Sequence, residues 1–188
     1  MLEIPDHVDR SQGDIHASGN PHYLISPSNA KKVAQNISNG LAQLLPEQRA
    51  LLEQNAARFQ GQLDIKIREW KATLAPFSGL PVLAYHNSWP YFGSEFDFRF
   101  DLFLEPKPGI PPSPSHLANL ITTMKQRNVR VIFLDTYVSR KAAETVAQNT
   151  GATIVPVSQF PGGIKGTEGG YIELLDYLVA ALAKALSK

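Results

Sequence analysis

The sequence predicts an α/β fold, a mainly parallel sheet with flanking helices, joined to one long helix. Three observations carry this. From Pro81 onward, short apolar runs alternate with segments of helical period, the pattern of strands buried between helices. Before that point, Leu52, Ala56, Phe59, Leu63, Ile67, Trp70 and Leu74 recur every three or four residues, one continuous helical stripe. Between the two patterns, Pro76, Gly79 and Pro81 punctuate the chain.

Taken in order, residues 1–20 are polar and glycine-containing and read as an extended arm. Pro27-Ser28-Asn29 opens a first helix with Ser26 or Ser28 as N-cap. Its apolar stripe is Ala30, Val33, Ala34, Ile37, Leu41 and Leu44. Pro46 and Glu47 then suit the positive end of a second helix. That helix runs over 46–75, about 45 Å at 1.5 Å per residue, and Gly61 costs it about 1 kcal/mol without breaking the stripe. Strands follow over 82–85, 101–104, 130–134 and 153–156. Helices are expected over 88–96, 114–127, 139–149 and 170–186. The proline-rich stretch Pro106 to Pro114 reads as a stiff connector.

Composition removes several function classes. With 18 basic and 17 acidic residues the net charge is +1, which argues against a nucleic-acid surface. No run of 18 apolar residues occurs, so no membrane span is expected. Met1-Leu2-Glu3-Ile4-Pro5-Asp6 has neither the basic nor the apolar region of a signal peptide. The absence of cysteine excludes disulfides and thiolate metal sites. As for enzymes, Pro161-Gly162-Gly163-Ile164-Lys165-Gly166-Thr167 lacks the spacing of a phosphate-binding loop and reads as a loop. No GxSxG nucleophile elbow is present, and His116 reads as a surface or capping residue.

The organising stretch is Val82-Leu83-Ala84-Tyr85-His86-Asn87-Ser88-Trp89-Pro90-Tyr91-Phe92. A buried strand ends there in a histidine, and the carboxyl ends of parallel strands are where α/β sheets bind ligands. The aromatic residues after it are expected to shield the imidazole.

Together with Gly13-Asp14-Ile15-His16, Gly19-Asn20-Pro21-His22-Tyr23, Glu105-Pro106-Lys107-Pro108-Gly109, Val131-Ile132-Phe133-Leu134-Asp135 and Gly166-Thr167-Glu168-Gly169-Gly170-Tyr171, this stretch resembles the zinc- and manganese-binding receptors of ABC importers, of the cluster A-I type. The ordered matches cover nearly the whole chain. The resemblance implies a non-enzymatic protein that captures Zn2+, with Mn2+ the alternative, and delivers it to an ABC permease outside the cytoplasm or in the periplasm. It also implies a division into 1–45 as a remnant of a first lobe, 46–76 as a rigid spine helix and 77–188 as the C-terminal lobe of a two-lobe protein. Most of the first lobe is missing, so the chain is either a fragment or a naturally shortened relative. The helices that lobe would cover are then free to associate, and a homodimer is expected.

By motif, the resemblance carries two metal ligands onto this sequence, His22 and His86. His16, Asp135 and Glu168 are further candidates. His16 and Asp14 also fit a solvated arm, and Glu168 fits a surface charge or helix cap. Asp135 suits either an acceptor fixing an imidazole tautomer or the N-cap of the next helix, and the cap is preferred. The loop Val157-Ser158-Gln159-Phe160 has no carboxylate where the family commonly carries an aspartate. Imidazole ligands favour zinc over manganese, which prefers oxygen donors. A lobe that has lost metal binding and serves as an interaction module is the alternative function.

Overall fold

Pro81 to Ala84 is buried at all four positions because both of its faces are covered. This strand, β1, lies inside a four-stranded sheet of order β2-β1-β3-β4, with β2 at Arg99–Phe103, β3 at Val131–Asp135 and β4 at Thr153–Val157. All pairings are parallel: Leu83 stands opposite Leu102 and Ile132, and β3 pairs with β4 from Val131↔Thr153 to Asp135↔Val157. The computed structural model describes residues 1–6 and 16–188, so Gly13 and Asp14 lie outside the described residues.

Among the described residues, six α-helices accompany the sheet: α1 Pro27–Leu44, α2 Arg49–Leu74, α3 Pro90–Phe96, α4 Pro114–Gln126, α5 Lys141–Thr150 and α6 Tyr171–Leu186. Alternate strand residues face opposite sides. Val82, Ala84, Phe100, Phe133 and Val155 pack with Trp70, Phe92 and the Leu174–Leu182 face of α6. Leu83, Ile132 and Leu134 pack with Leu120 and Met124 of α4 and Val146 of α5. The result is a three-layer α/β lobe.

The long helix is as expected in place and length. Short 3-10 turns at Pro46–Gln48 and Ala75–Phe77 extend it at both ends, and Ala56, Leu63, Trp70 and Leu74 form its buried stripe. It is fastened to α6 where Asp176 Oδ1 accepts from Trp70 Nε1 at 2.8 Å and from Lys66 Nζ at 3.0 Å.

In α1 the buried residues are Pro27, Ala30, Ser38 and Ala42, while Ile37, Leu41 and Leu44 are 57%, 38% and 77% exposed. Small side chains let α1 approach α2 closely, which turns the larger apolar residues outward. The aromatic residues after His86 belong to the core. Trp89 and Phe92 are fully buried and join Phe100 and Phe133, with Trp89 edge-on to Phe133 at 5.0 Å.

Candidate metal centre

In the order β2-β1-β3-β4 the chain leaves β1 in opposite directions, to β2 on one side and β3 on the other. The crevice at such a switch point, beyond the carboxyl ends of the strands, is the binding position of open α/β sheets. His86 follows β1 there, Asp135 ends β3, Glu105 follows β2 and Gln159 follows β4.

His22 arrives from the other side. Gly19 holds a left-handed φ of 96°, Pro21 follows, and His22 caps a 3-10 turn at Tyr23–Ile25. Its backbone N–H is taken by Asn20 Oδ1 at 3.0 Å. Ser26 then starts α1, accepting from Asn29 N at 3.3 Å. The rings of His22 and His86 meet edge-on with centroids 5.6 Å apart, so the structure brings the two motif-derived candidates together.

His22 Nε2 is buried with no hydrogen-bond partner, and so are both carboxylate oxygens of Asp135. Burial pushes the His22 imidazole below its ordinary pKa. The neighbouring Gln159 side chain opposes the shift, and the nearby His86 reinforces it. Asp135 is 1% exposed, and burial raises its carboxyl to about 6 against the pull of Gln159 and His86. Unpartnered lone pairs on a buried imidazole and carboxylate are costly unless a cation or proton fills them.

Asp135 therefore does not cap the next helix, which begins at Lys141 without a side-chain cap. Nor does it fix an imidazole. That role belongs to Glu105, which the sequence analysis missed: its Oε2 accepts from His86 Nδ1 at 2.5 Å and its Oε1 from Gly109 N at 2.7 Å. The signal was its place, two residues after β2 at the carboxyl edge.

His16 is exposed and lines an open cleft of about 450 Å³ with Glu3, Asn20, His22, His86 and Asn87. Glu168 is elsewhere: it is exposed and closes its own loop by accepting from Gly166 N at 2.8 Å. His116 is half-buried against the end of β2, with Nε2 3.0 Å from the Phe103 carbonyl. Among the described residues, no three His, Asp or Glu side chains converge closely enough to hold an ion as they stand.

Residues 2–185 match the model of the ZnuA family, described as zinc-uptake complex component A, periplasmic. The high-affinity zinc uptake protein ZnuA of Brucella suis is 25% identical over 167 residues, which is 89% of this chain and 50% of that protein. The iron-binding protein YfeA of Yersinia pestis is 26% identical over 186 residues, 94% of this chain and 58% of that one. A crystal structure of ZnuA superposes with a TM-score of 0.76 at 26% identity, covering 96% of this chain and 68% of the other. The chain thus spans about half the length of the curated relatives it matches. These likenesses give no support to the expected homodimer. No helix among the described residues is long and apolar enough to cross a membrane. On the match to residues 2–185, the chain belongs to the ZnuA family of zinc-uptake components, a family of solute-binding proteins and not of enzymes.

Proposed function

We propose that this chain captures a divalent transition metal, zinc in preference to manganese, in the crevice between His22 and His86, and that the ion passes to an ABC permease outside the cytoplasm. The observation that carries the reading is the set of orphaned lone pairs. His22 Nε2 and both Asp135 oxygens are buried and unpartnered beside an imidazole whose Nδ1 is already held by Glu105. Small side-chain rotations toward a shared ion would satisfy them at the usual zinc distances of about 2.0–2.2 Å. Two imidazoles and a carboxylate make a donor set that suits zinc better than the oxygen-rich one manganese prefers. His16, at the mouth, is the nearest further donor. The division into a first-lobe remnant at 1–45, a spine at 46–76 and a lobe at 77–188 is part of the same proposal.

A second reading is favoured by two observations: the lack of three converging ligands among the described residues and the exposed stripe Ile37, Leu41 and Leu44. In it, the lobe has lost metal binding and acts through protein contacts. Calorimetry with zinc and with manganese separates the two. Near-stoichiometric zinc binding, tighter than manganese and abolished by His22→Ala and by His86→Ala, is expected. Absence of heat at micromolar zinc would leave the interaction module.

A further inference from the structure

Glu3 and Pro5 line the cleft, and Leu2 is fastened beside it. Leu2 donates its N–H to the Tyr91 hydroxyl at 2.8 Å, and its carbonyl accepts from Asn20 N at 2.9 Å. The Tyr91 hydroxyl in turn donates to the Asn20 carbonyl at 2.9 Å. Gly19 permits this closeness, since a Cβ there would stand 2.8 Å from the Leu2 carbonyl oxygen. Next to these fixings Glu3 holds a left-handed φ of 54°, which a residue with a Cβ keeps only where its contacts over-determine it.

That backbone conformation delivers the carboxylate to one point. Glu3 Oε2 accepts from Asn20 Nδ2 at 2.9 Å and from Asn87 Nδ2 at 2.8 Å. Each amide belongs to one histidine segment. Asn20 holds the His22 backbone N–H on its Oδ1, and Asn87 follows His86 directly. Asn20 Nδ2 also donates to the Asn87 carbonyl at 2.9 Å. A single ionised oxygen thus joins two segments far apart in the chain, through charge-assisted bonds about twice as strong as neutral ones. Glu3 also lines the cleft with both histidines, and its charge is felt at His22.

We propose that Glu3 is a positioning residue for the metal, clamping the His22 and His86 segments in register and placing a negative charge where the cation enters. This rests on the metal-binding reading above. A strap that merely covers apolar surface would need neither the two amides nor the charge.

Glu3→Gln keeps an oxygen acceptor and removes the charge, whereas Glu3→Ala removes both. The first measurement is amide hydrogen exchange in the metal-free protein, at Asn20, His22, Asn87 and Ser88. The second is zinc titration against a chromophoric chelator at two salt concentrations. Glu3→Ala is expected to speed exchange in both segments about tenfold and to raise the zinc dissociation constant about 10–100-fold, the usual effect of losing an outer partner of a metal ligand. Glu3→Gln, which keeps an acceptor but only neutral bonds, is expected to speed exchange less than Glu3→Ala does and to weaken zinc less, by a margin that shrinks as salt rises. Unchanged exchange in α6 serves as the check that the fold is intact. Wild-type exchange at both segments in Glu3→Ala would overturn the clamp, and wild-type zinc affinity in both variants would overturn its role toward the metal. A wild-type chain that binds no zinc defeats the metal reading alone, because exchange in the metal-free protein still decides the clamp.

Discussion

The imidazole of His86 and the carboxylate of Glu105 are joined Nδ1 to Oε2 at 2.5 Å. Because a carboxylate only accepts, Nδ1 carries the proton and Nε2 keeps the lone pair. The tautomer a metal requires is therefore set before any ion arrives, and Gly109 N holds the carboxylate itself through its other oxygen.

Glu105→Gln tests this directly. Glutamine has one acceptor oxygen, so it cannot serve both His86 and Gly109. Zinc affinity is expected to fall about 10–100-fold, while the melting temperature of the metal-free protein changes little. Nitrogen-15 shifts of the His86 ring should move from a single Nδ1–H tautomer toward a mixture. An unchanged tautomer with unchanged affinity would remove Glu105 from the site.

Asp135 sets stability against binding. Its carboxylate is buried without a partner, and burial raises its pKa from 3.8 to about 6. Near neutral pH the metal-free protein therefore carries a charge that destabilises it by up to about 3 kcal/mol, at 1.36 kcal/mol per unit. Asp135→Asn is expected to raise the unfolding free energy in urea by roughly 1–3 kcal/mol and to weaken zinc binding. Lower stability together with unchanged zinc affinity would mean that the carboxylate has partners the fold supplies.

How much of this was legible in the sequence follows from what a pattern can encode. The run at Pro81–Ala84 announced a strand covered on both faces, and the stripe from Ala56 to Leu74 announced the long helix, because burial leaves its period in the residues. The same logic marked Ile37, Leu41 and Leu44 as a stripe with part of its cover lacking, and all three are exposed; a periodic stripe marks a face without saying what covers it. His22 and His86 were findable from their motifs. Glu105, Glu3 and Gln159 were not, because their partners lie far off in the chain and only the crossing of segments brings them together. The cap preferred for Asp135 failed because a strand-end aspartate before a helix looks the same whether it caps or stands alone.

Gln159 lies beside both His22 and Asp135 and favours the charged form of each. Gln159→Asp would supply the carboxylate that its loop lacks. Two close carboxylates repel, so the metal-free protein is expected to lose about 1 kcal/mol or more. A cation relieves the repulsion and gains an oxygen donor, so affinity should rise, proportionally more for manganese than for zinc. Calorimetry with both ions checks the ratio, and a fall in affinity for both would show that Gln159 does not face the ion.

The junction between α1, α2 and α3 holds the His22 segment against the lobe. Glu95 is the hub: its side chain is 5% exposed, and its Oε1 pairs with Lys71 Nζ at 2.9 Å. Its Oε2 accepts from Ser26 Oγ at 2.8 Å and from Ser28 N at 3.2 Å, so a carboxylate from α3 supports the first turn of α1. Burial alone would raise its pKa, but the bonds from Lys71, Ser28 and Ser26 outweigh that and hold it below the ordinary 4.5. The folded state thus binds this proton less readily than the unfolded chain does. The stabilisation is complete above pH 4.5 and is lost as pH falls from there through the depressed folded value. Glu95→Gln is expected to cost about 2 kcal/mol at pH 7, the scale of hydrogen bonds to a charged group. The gap to wild type should narrow below pH 4.5, in urea unfolding followed by circular dichroism. A gap that stays constant down to pH 3 would assign the loss to packing and not to the ionised carboxylate.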